Sequence, residues 1–242
     1  MDYRRLIYEQ YASRFQDATG AFDTEAAERF GRAYVYYLRG WLPAERSARI
    51  LEVGCGSGYL LASFARQGYQ AVSGVDISPE QVGLAGQAGL DVVQADVLEY
   101  LRPIRERYDL VIGIDTIEHF RKDEVLEFLG LCRQALTHGG RIILQTPNAE
   151  SPWGAQHRYN DFTHEVGFNP NALGRLMAIT GFKGIEAREA GPIAWGYGLR
   201  SAVRFIVWRL IRMGLLVWNL AETGQAGSGV LTRVFLISAV RG

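Results

Sequence analysis

Cysteine is scarce in this chain of 242 residues, where only Cys55 and Cys132 occur. Two cysteines can form neither a disulfide framework nor a cysteine-rich zinc cluster, which indicates a reducing compartment. The N-terminal stretch MDYRRLIYEQYASRF carries charges where a secretory signal peptide needs an apolar core. We therefore expect a cytoplasmic protein.

A net excess of charge is also lacking, because 26 Lys and Arg balance 26 Asp and Glu. This excludes the general attraction to nucleic acid that a strongly basic chain has, so we expect no nucleic-acid partner. The balance hides an asymmetry, since from residue 190 onward there are six arginines and one acid, Glu222. The C-terminal part is therefore basic and the remainder acidic.

Short apolar segments alternate with helical ones through the middle of the chain. After the second strand, Ser78 suits a helix N-cap and Pro79 the first helical position. Such alternation predicts a parallel sheet covered by helices on both faces. With two more strands near the end, we expect an α/β fold with a doubly wound, mostly parallel, seven-stranded sheet. The expected strands are 48–53, 70–76, 91–96, 108–115, 140–147, 182–189 and 230–240, and the expected helices are 58–68, one from 79, and 122–140 closed by Gly139 and Gly140.

The chain divides into four segments. Residues 3–15 and 22–40 carry aromatic stripes at helical spacing, which suit either core packing or a lid over a site. A long stretch separates the last two expected strands and has strong helical character. The segments are an N-terminal helical lid (1–45), an α/β core (46–189), a basic and apolar helical insertion (190–230) and the last strand of the sheet (231–242).

A glycine-rich turn, LEVGCGSGYL, joins the first strand to the next helix. Gly54, Gly56 and Gly58 let the backbone approach a ligand closely, because they lack a Cβ atom. A dinucleotide fingerprint would have glycine after Gly58, where this chain has tyrosine, and no phosphate-binding G-K-[ST] occurs. Asp76 and Asp96 end the second and third strands, where acids can accept hydrogen bonds from a ribose and an adenine amino group.

Four segments in this order resemble the motifs of class I S-adenosylmethionine-dependent methyltransferases: LEVGCGSGYL, GVDIS, QADVLEY and YDLVIGIDTIEHF. The resemblance implies a Rossmann-like methyltransferase fold and S-adenosylmethionine as cofactor. It implies that the methionine end lies along the glycine turn, the ribose at the second strand and the adenine at the third. Apart from the resemblance, Asp76 would be a turn residue and Glu52 a buried structural acid. The cofactor-binding residues implied are Glu52, Gly54, Gly56, Asp76, Ile77, Asp96, Val97 and Asp115.

Two carboxylates and an imidazole, Asp115, Glu118 and His119, stand together in DTIEHF at the end of the fourth strand. In an open α/β sheet the ligand crevice lies at the carboxyl ends of the strands. If residues 115–119 form a helical turn, positions i, i+3 and i+4 share a face and the three side chains converge. With His164 as a fourth ligand, this set suits a divalent metal such as Mg²⁺, Mn²⁺, Zn²⁺ or Fe²⁺.

The spacing also resembles two methyltransferase groups that bind a cation through acid-x-x-Glu-His and a later His. One comprises small-RNA 2′-O-methyltransferases and the other ubiquinone-biosynthesis O-methyltransferases; both often have Glu where this chain has Asp115. Two alternatives stay open. In one, His119 or His164 is a general base with Glu118 beside it; in the other, the cluster is a structural turn and His164 only orients a loop.

Residues 199–222, LRSAVRFIVWRLIRMGLLVWNLAE, dominate the insertion. At about 100° per residue its apolar side chains surround the helix, with Arg200 and Arg204 on one side and Arg209 and Arg212 roughly opposite. Its longest uncharged run is far shorter than the ~20 residues of a membrane span. Tryptophans and arginines without intervening acids suit a helix lying on an anionic membrane. Burial within the fold or in a homodimer is the alternative.

These features predict an O-methyltransferase. The first expected acceptor is a sugar hydroxyl of a lipid-linked or nucleotide-linked cell-surface glycan precursor, because HRYNDFTHEVGF and the insertion resemble bacterial enzymes of glycan assembly. A phenol of a quinone pathway is second, and small-RNA methylation is third because no RNA-binding module is evident. A non-catalytic adenosylmethionine-binding protein is the alternative of another class. We expect a cytoplasmic location with peripheral contact at the inner face of the membrane.

Overall fold

The computed structural model describes residues 3–15, 20–194 and 198–242. Residues 1–2 and 16–19 of the predicted lid and 195–197 of the predicted insertion lie outside the described residues. The strands are β1 (Arg49–Val53), β2 (Ala71–Asp76), β3 (Val92–Gln94), β4 (Tyr108–Ile114), β5 (Leu136–Pro147), β6 (Phe182–Glu189) and β7 (Val234–Arg241). The α-helices are α1 (Tyr3–Tyr8), α2 (Tyr11–Phe15), α3 (Thr24–Tyr37), α4 (Tyr59–Arg66), α5 (Pro79–Gln87), α6 (Val97–Leu101), α7 (Lys122–Ala135), α8 (Gly154–Asn160), α9 (Pro170–Ile179) and α10 (Leu199–Thr223).

All seven strands belong to one sheet, in the order β3-β2-β1-β4-β5-β7-β6. β7 runs antiparallel to both of its neighbours, and the other pairs are parallel. The predicted doubly wound, mostly parallel sheet is confirmed. The strand order reverses between β1 and β4, and the crevice outside the carboxyl ends at such a point is where these sheets bind ligands.

Local signals start the helix after β2 as predicted. Ser78 is the N-cap of α5, and its hydroxyl accepts a hydrogen bond from the Gln81 amide at 3.4 Å. Pro79 occupies the first turn, where its missing N–H costs nothing. This cap fixes the direction in which the chain leaves Asp76.

The predicted end of the helix over 122–140 is wrong. α7 ends at Ala135, and Gly139 and Gly140 lie within β5. Leu136 already has an extended backbone, with φ −71° and ψ 145°, and it is fully buried and paired with Tyr108 in the sheet. Burying a leucine stabilises the fold by ~1.5–3 kcal/mol. The chain therefore enters β5 at Leu136, before it reaches the glycines that the sequence pattern proposed as the end of the helix.

Helices cover both faces of the sheet, and alternate residues of β1 point into the two cores that they form. Ile50 of β1 packs in a cluster with Phe64 of α4. Leu51 packs in the opposite cluster with Phe128 of α7 and Phe235 of β7. With both faces buried, the sheet is a rigid support for the side chains at its strand ends.

The insertion between β6 and β7 is helical, as predicted, and consists mainly of α10. None of the residues of α10 is buried, so burial within the fold is not what the structure shows for this helix. Within the described ranges, we find no helix that combines the length and the apolarity needed to cross a bilayer.

Candidate active site

A cavity of about 620 Å³ lies at the carboxyl ends of the central strands. Its wall contains every residue predicted for cofactor binding, metal binding or catalysis. These residues are Glu52, Gly54, Gly56, Asp76, Ile77, Asp96, Val97, Asp115, Glu118, His119 and His164. The predicted cofactor residues therefore line the same cavity as Asp115, Glu118, His119 and His164, which we call the acidic-histidine cluster.

The glycine turn after β1 has no room for side chains at its first glycine. Gly54 has φ +63°, and a Cβ atom there would lie 2.5 Å from Oγ1 of Thr116. The amides of Gly54 and Cys55 donate to the carbonyl of Val75 at 2.8 and 3.2 Å, which ties the turn to β2. The backbone can therefore form part of the cavity wall itself.

Asp76 holds the turn and faces the cavity. One carboxylate oxygen accepts from the amide of Gly56 at 2.8 Å, and the other accepts from the amide of Ser78 at 2.9 Å. Burial raises the pKa of Asp76, and these hydrogen bonds oppose the rise. A carboxylate oxygen has two lone pairs, so each can accept a further bond from a vicinal diol such as a ribose.

Glu52, on β1, is buried and lines the same cavity. Its Oε2 has no hydrogen-bond partner in the described residues. Burial, then the nearby Asp76, raises the pKa of Glu52 well above its usual range. A buried acceptor without a donor indicates that a ligand supplies one, and the α-ammonium group of the cofactor implied by the resemblance would do so.

Asp96 begins α6 at the third strand end. Its Oδ1 accepts from the amides of Leu98 and Glu99 at 2.8 and 3.1 Å, so this side chain is also an N-cap. Ile77 is 39 % exposed although it is apolar and lies in the cavity wall. Asp76 and Asp96 can accept hydrogen bonds from the ribose and the adenine of an adenosine, and Ile77 provides an apolar surface for the adenine ring. The residues present therefore fit the implied cofactor.

The acidic-histidine cluster is built on a short 3-10 helix, Ile117–His119, rather than on a helical turn over 115–119. Asp115 lies outside that helix with φ +51°, and both its oxygens accept from the side-chain amide of Gln145 at 3.1 Å. Ligand atoms of Glu118, His119 and His164 lie within 4.8 Å of one another, and Asp115 is not in that group. The convergence predicted for four residues is thus seen for three.

Glu118 is the most confined member of this cluster, with 1 % of its surface exposed. Neither carboxylate oxygen has a hydrogen-bond partner among the described residues. Burial raises the pKa of Glu118 well above its usual range, and the neighbouring Asp115 adds to the rise; the backbone amide of Glu118 and the nearby Thr146 hydroxyl oppose it only weakly, without satisfying either oxygen. An unpaired buried carboxylate is costly, so the site suits either a bound cation or a proton on Glu118.

Hydrogen bonds define the tautomer of His119. Burial would raise the pKa of Asp161, but hydrogen bonds from Thr163 and Tyr11 lower it below its usual value, so Asp161 is ionised. The Thr163 hydroxyl donates to Asp161 at 2.6 Å and lies 2.8 Å from Nδ1 of His119. We therefore place the proton of His119 on Nδ1, which leaves a lone pair on Nε2.

His164 has the same arrangement. Its Nδ1 lies 3.2 Å from the carbonyl oxygen of Arg158, which can only accept, so we place its proton on Nδ1 and its lone pair on Nε2. The rings of His119 and His164 have centroids 4.8 Å apart. Burial, then the nearby His164, lowers the pKa of His119 to about 4, so its ring is neutral at pH 7. Imidazole nitrogens of two histidines beside a carboxylate are a suitable donor set for a divalent metal.

The N-terminal helices supply wall residues that the sequence analysis did not identify individually. Arg4, Tyr8 and Tyr11 line the cavity. Arg4 donates to the carbonyl of His119 at 2.9 Å, and Tyr11 donates to Asp161 at 2.5 Å. These contacts place α1 and α2 against the acidic-histidine cluster; whether they act as a lid stays a prediction. The aromatic stripe was the only signal, and it did not show which residues reach the site.

Sequence comparisons identify related proteins. A family model described as "Methyltransferase domain" matches residues 24–187. A ubiquinone biosynthesis O-methyltransferase of Cereibacter sphaeroides is 34 % identical over 183 residues, covering 66 % of this chain and 70 % of that protein. A protein of the same name from a Bradyrhizobium species is 36 % identical over 106 residues, covering 41 % of this chain and 40 % of that protein.

Structural comparisons show the same fold at low sequence identity. A SAM-dependent methyltransferase from Archaeoglobus fulgidus superposes with a TM-score of 0.65 at 21 % identity, covering 99 % of this chain and 100 % of the other. Human N-acetylserotonin methyltransferase in complex with SAM gives a TM-score of 0.64 at 16 % identity, covering 100 % and 59 %. At these identities the likeness concerns the fold alone.

Proposed function

Because the chain belongs to the class I S-adenosylmethionine-dependent methyltransferases, we propose that it methylates a hydroxyl of a small, quinone-type aromatic acceptor. The family resemblance noted in the sequence is confirmed, and so are the enzyme class and the cofactor. The non-catalytic alternative is not retained. Support for a phenolic acceptor comes from the relatives named for ubiquinone biosynthesis.

The cofactor end of the cavity is assigned as follows. S-adenosylmethionine supplies a methyl group activated by its sulfonium. Asp76 binds the ribose hydroxyls, Asp96 and Val97 meet the adenine, and the unpaired oxygen of Glu52 receives the ammonium group. The glycine turn keeps side chains out of the space that the cofactor fills.

The acceptor hydroxyl must lose its proton during transfer. Either a histidine would accept the proton directly, or a metal would lower the pKa of the hydroxyl so that its proton passes to solvent water. A phenol has a pKa near 10, whereas burial holds the pKa of His119 at about 4. A gap of about six pKa units corresponds to ~8 kcal/mol, which makes an unaided His119 a poor base. A neutral His119 is instead well suited to hold a metal.

We therefore favour the metal alternative for the catalytic end. The observation that carries it is Glu118, whose two buried oxygens are unpaired beside His119 and His164. A divalent cation held by these three residues would supply positive charge that lowers the pKa of a hydroxyl at the site. Asp161 and Thr163 would hold His119 in the tautomer that presents Nε2.

Glycan methylation, the first acceptor predicted from the sequence, draws no support from the names of the relatives given above. A sugar acceptor is therefore included in the test as a competing substrate. A sugar nucleotide and a simple catechol are offered side by side with S-adenosylmethionine, and methylated products are identified by mass spectrometry. Methylation of the sugar and not the catechol would overturn the proposed acceptor class.

The metal assignment has its own test. After chelation, we expect catechol methylation to stop and to return when Mg²⁺, Mn²⁺, Zn²⁺ or Fe²⁺ is added back. Glu118→Gln and His119→Ala should lose both activity and bound metal, measured by elemental analysis after dialysis. His138→Ala alters an exposed histidine outside the cavity wall and should keep both. Full activity of the chelated enzyme would refute the metal assignment.

A further inference from the structure

α10 presents a long apolar surface to solvent. It has 25 residues, which corresponds to a length of ~37 Å. No residue of it is buried, and Leu210 and Val217 are 61 % and 67 % exposed. Contiguous apolar surface of this extent is uncommon on a protein that has no partner for it. The large apolar residues exposed on α10 are Leu199, Val203, Ile206, Val207, Leu210, Ile211, Met213, Val217, Trp218 and Leu220.

One face of α10 is held to the core and the opposite face is free. Trp208 and Arg212 contact Glu189 of β6 at 3.4 and 3.1 Å, and Arg212 also donates to the carbonyl of Gly229 at 2.7 Å. At about 100° per residue, Leu210 and Val217 point away from those anchors. The outward face is therefore set by the attachment to the core.

Arginines border this outward face on both sides. At the same angular spacing, Arg200 and Arg204 lie about 90–130° to one side of the apolar centre, and Arg209 lies about 90° to the other. These three side chains make no ion pair or hydrogen bond with any described residue. An apolar face flanked by cations matches a bilayer whose acyl region meets the apolar side chains and whose headgroups are anionic.

A second cavity lies beneath α10. It has a volume of about 630 Å³ and is lined by Arg204 and Trp208 of α10 and by Trp153. His157 and Val234 belong to its wall and also to the wall of the cofactor cavity. The second cavity thus adjoins the methyl-transfer site and reaches α10.

We propose that α10 lies in the surface of an anionic membrane and that the second cavity admits an acceptor presented at that surface. The membrane part stands on the surface of α10 alone. The acceptor part rests on the proposed function, because it assumes a methyl acceptor entering beside the cofactor.

A second copy of this chain is the other occupant to consider, and charge argues against it. Pairing two copies of α10 would bring together Arg200, Arg204 and Arg209 from each copy, six cations in all, against only two acids, one Glu222 from each helix. Anionic headgroups neutralise the same arginines at about 1 kcal/mol each, which is about fivefold in binding per arginine. The membrane is therefore the occupant whose charge complements the surface.

The membrane part is tested by co-sedimentation with vesicles of phosphatidylcholine and phosphatidylglycerol in equal parts, without cofactor or acceptor. Binding should weaken in high salt, as the screening length falls from ~8 Å toward ~3 Å. Changing Arg200, Arg204 and Arg209 together to Gln should lower the partition coefficient about 100-fold. Leu210→Asn with Val217→Asn should also release the protein.

A matched triple variant controls for lost charge. Arg29→Gln, Arg32→Gln and Arg175→Gln remove the same charge from exposed positions outside α10, and vesicle binding should persist. Binding that survives both α10 variants would overturn the proposal. So would a stable dimer in sedimentation velocity that Leu210→Asn dissociates, without any vesicle binding by the wild type.

The acceptor part needs a separate variant. Ser201→Phe fills the second cavity from α10. With a prenylated catechol embedded in the vesicles, methylation should fall while vesicle binding and the affinity for S-adenosylmethionine stay at wild-type values. A methylation rate of Ser201→Phe equal to that of the wild type would overturn the assignment of the second cavity to the acceptor. Failure of the wild type on all catechols would instead refute the proposed function and leave the membrane result standing.

Discussion

Replacing Asp76 tests the cofactor site most directly. In Asp76→Ala, a ribose would lose two hydrogen bonds to a charged acceptor, each worth ~1.5–3 kcal/mol. The lower limit of ~3 kcal/mol corresponds to at least about a 100-fold rise in Kd. The amides of Gly56 and Ser78 also lose their acceptor, so the glycine turn is less ordered before binding and the loss should not be smaller than this limit.

Isothermal titration with S-adenosylmethionine and S-adenosylhomocysteine measures the effect. The affinity of Asp76→Asn for both ligands should lie between those of wild type and Asp76→Ala. The amide oxygen can still accept one hydrogen bond, but the amide nitrogen is a donor and cannot accept the other.

Asp109→Ala is the matched control. Asp109 accepts from the backbone and side chain of Arg49 and from the Thr137 hydroxyl, at the opposite end of the sheet from the cofactor cavity. This variant should leave the affinity for both ligands unchanged. Wild-type affinity in Asp76→Ala, or an equal loss in both alanine variants, would refute the assignment of Asp76 to the ribose.

The parts of the fold that follow from local patterns are predictable from sequence. Ser78 and Pro79 start α5 because capping depends on neighbours in the chain. Asp76 and Asp96 reach one cavity because parallel strands bring their carboxyl ends to one edge. The end of α7 was missed because burial of Leu136 and its pairing with Tyr108 are tertiary effects, which a glycine pair further along the chain does not reveal.

The acidic-histidine cluster shows the same division. Spacing along the chain brought Glu118 and His119 together correctly, but the i, i+3, i+4 rule assumes a right-handed helical backbone. Asp115 has φ +51°, so it turns toward Gln145 instead. The contact between His119 and Thr163 joins residues 44 positions apart, and no local pattern encodes it.

Two further outcomes test the two ends of the site. In Gly54→Ala the new Cβ would lie 2.5 Å from Thr116 Oγ1 at a backbone φ of +63°, so we expect weaker cofactor binding by titration and a lower thermal midpoint. A wild-type Kd would show that the turn can shift. Thr163→Val keeps the shape of the side chain but removes the hydroxyl that joins Asp161 to His119. Outer partners of this kind typically change activity or metal affinity by about 10–100-fold, so kcat should fall in that range while the Kd of S-adenosylmethionine is unchanged. Nitrogen-15 NMR of the histidines should show the His119 proton no longer confined to Nδ1. A normal kcat together with a wild-type histidine spectrum would mean that Asp161 and Thr163 do not set the tautomer on which the proposed chemistry depends.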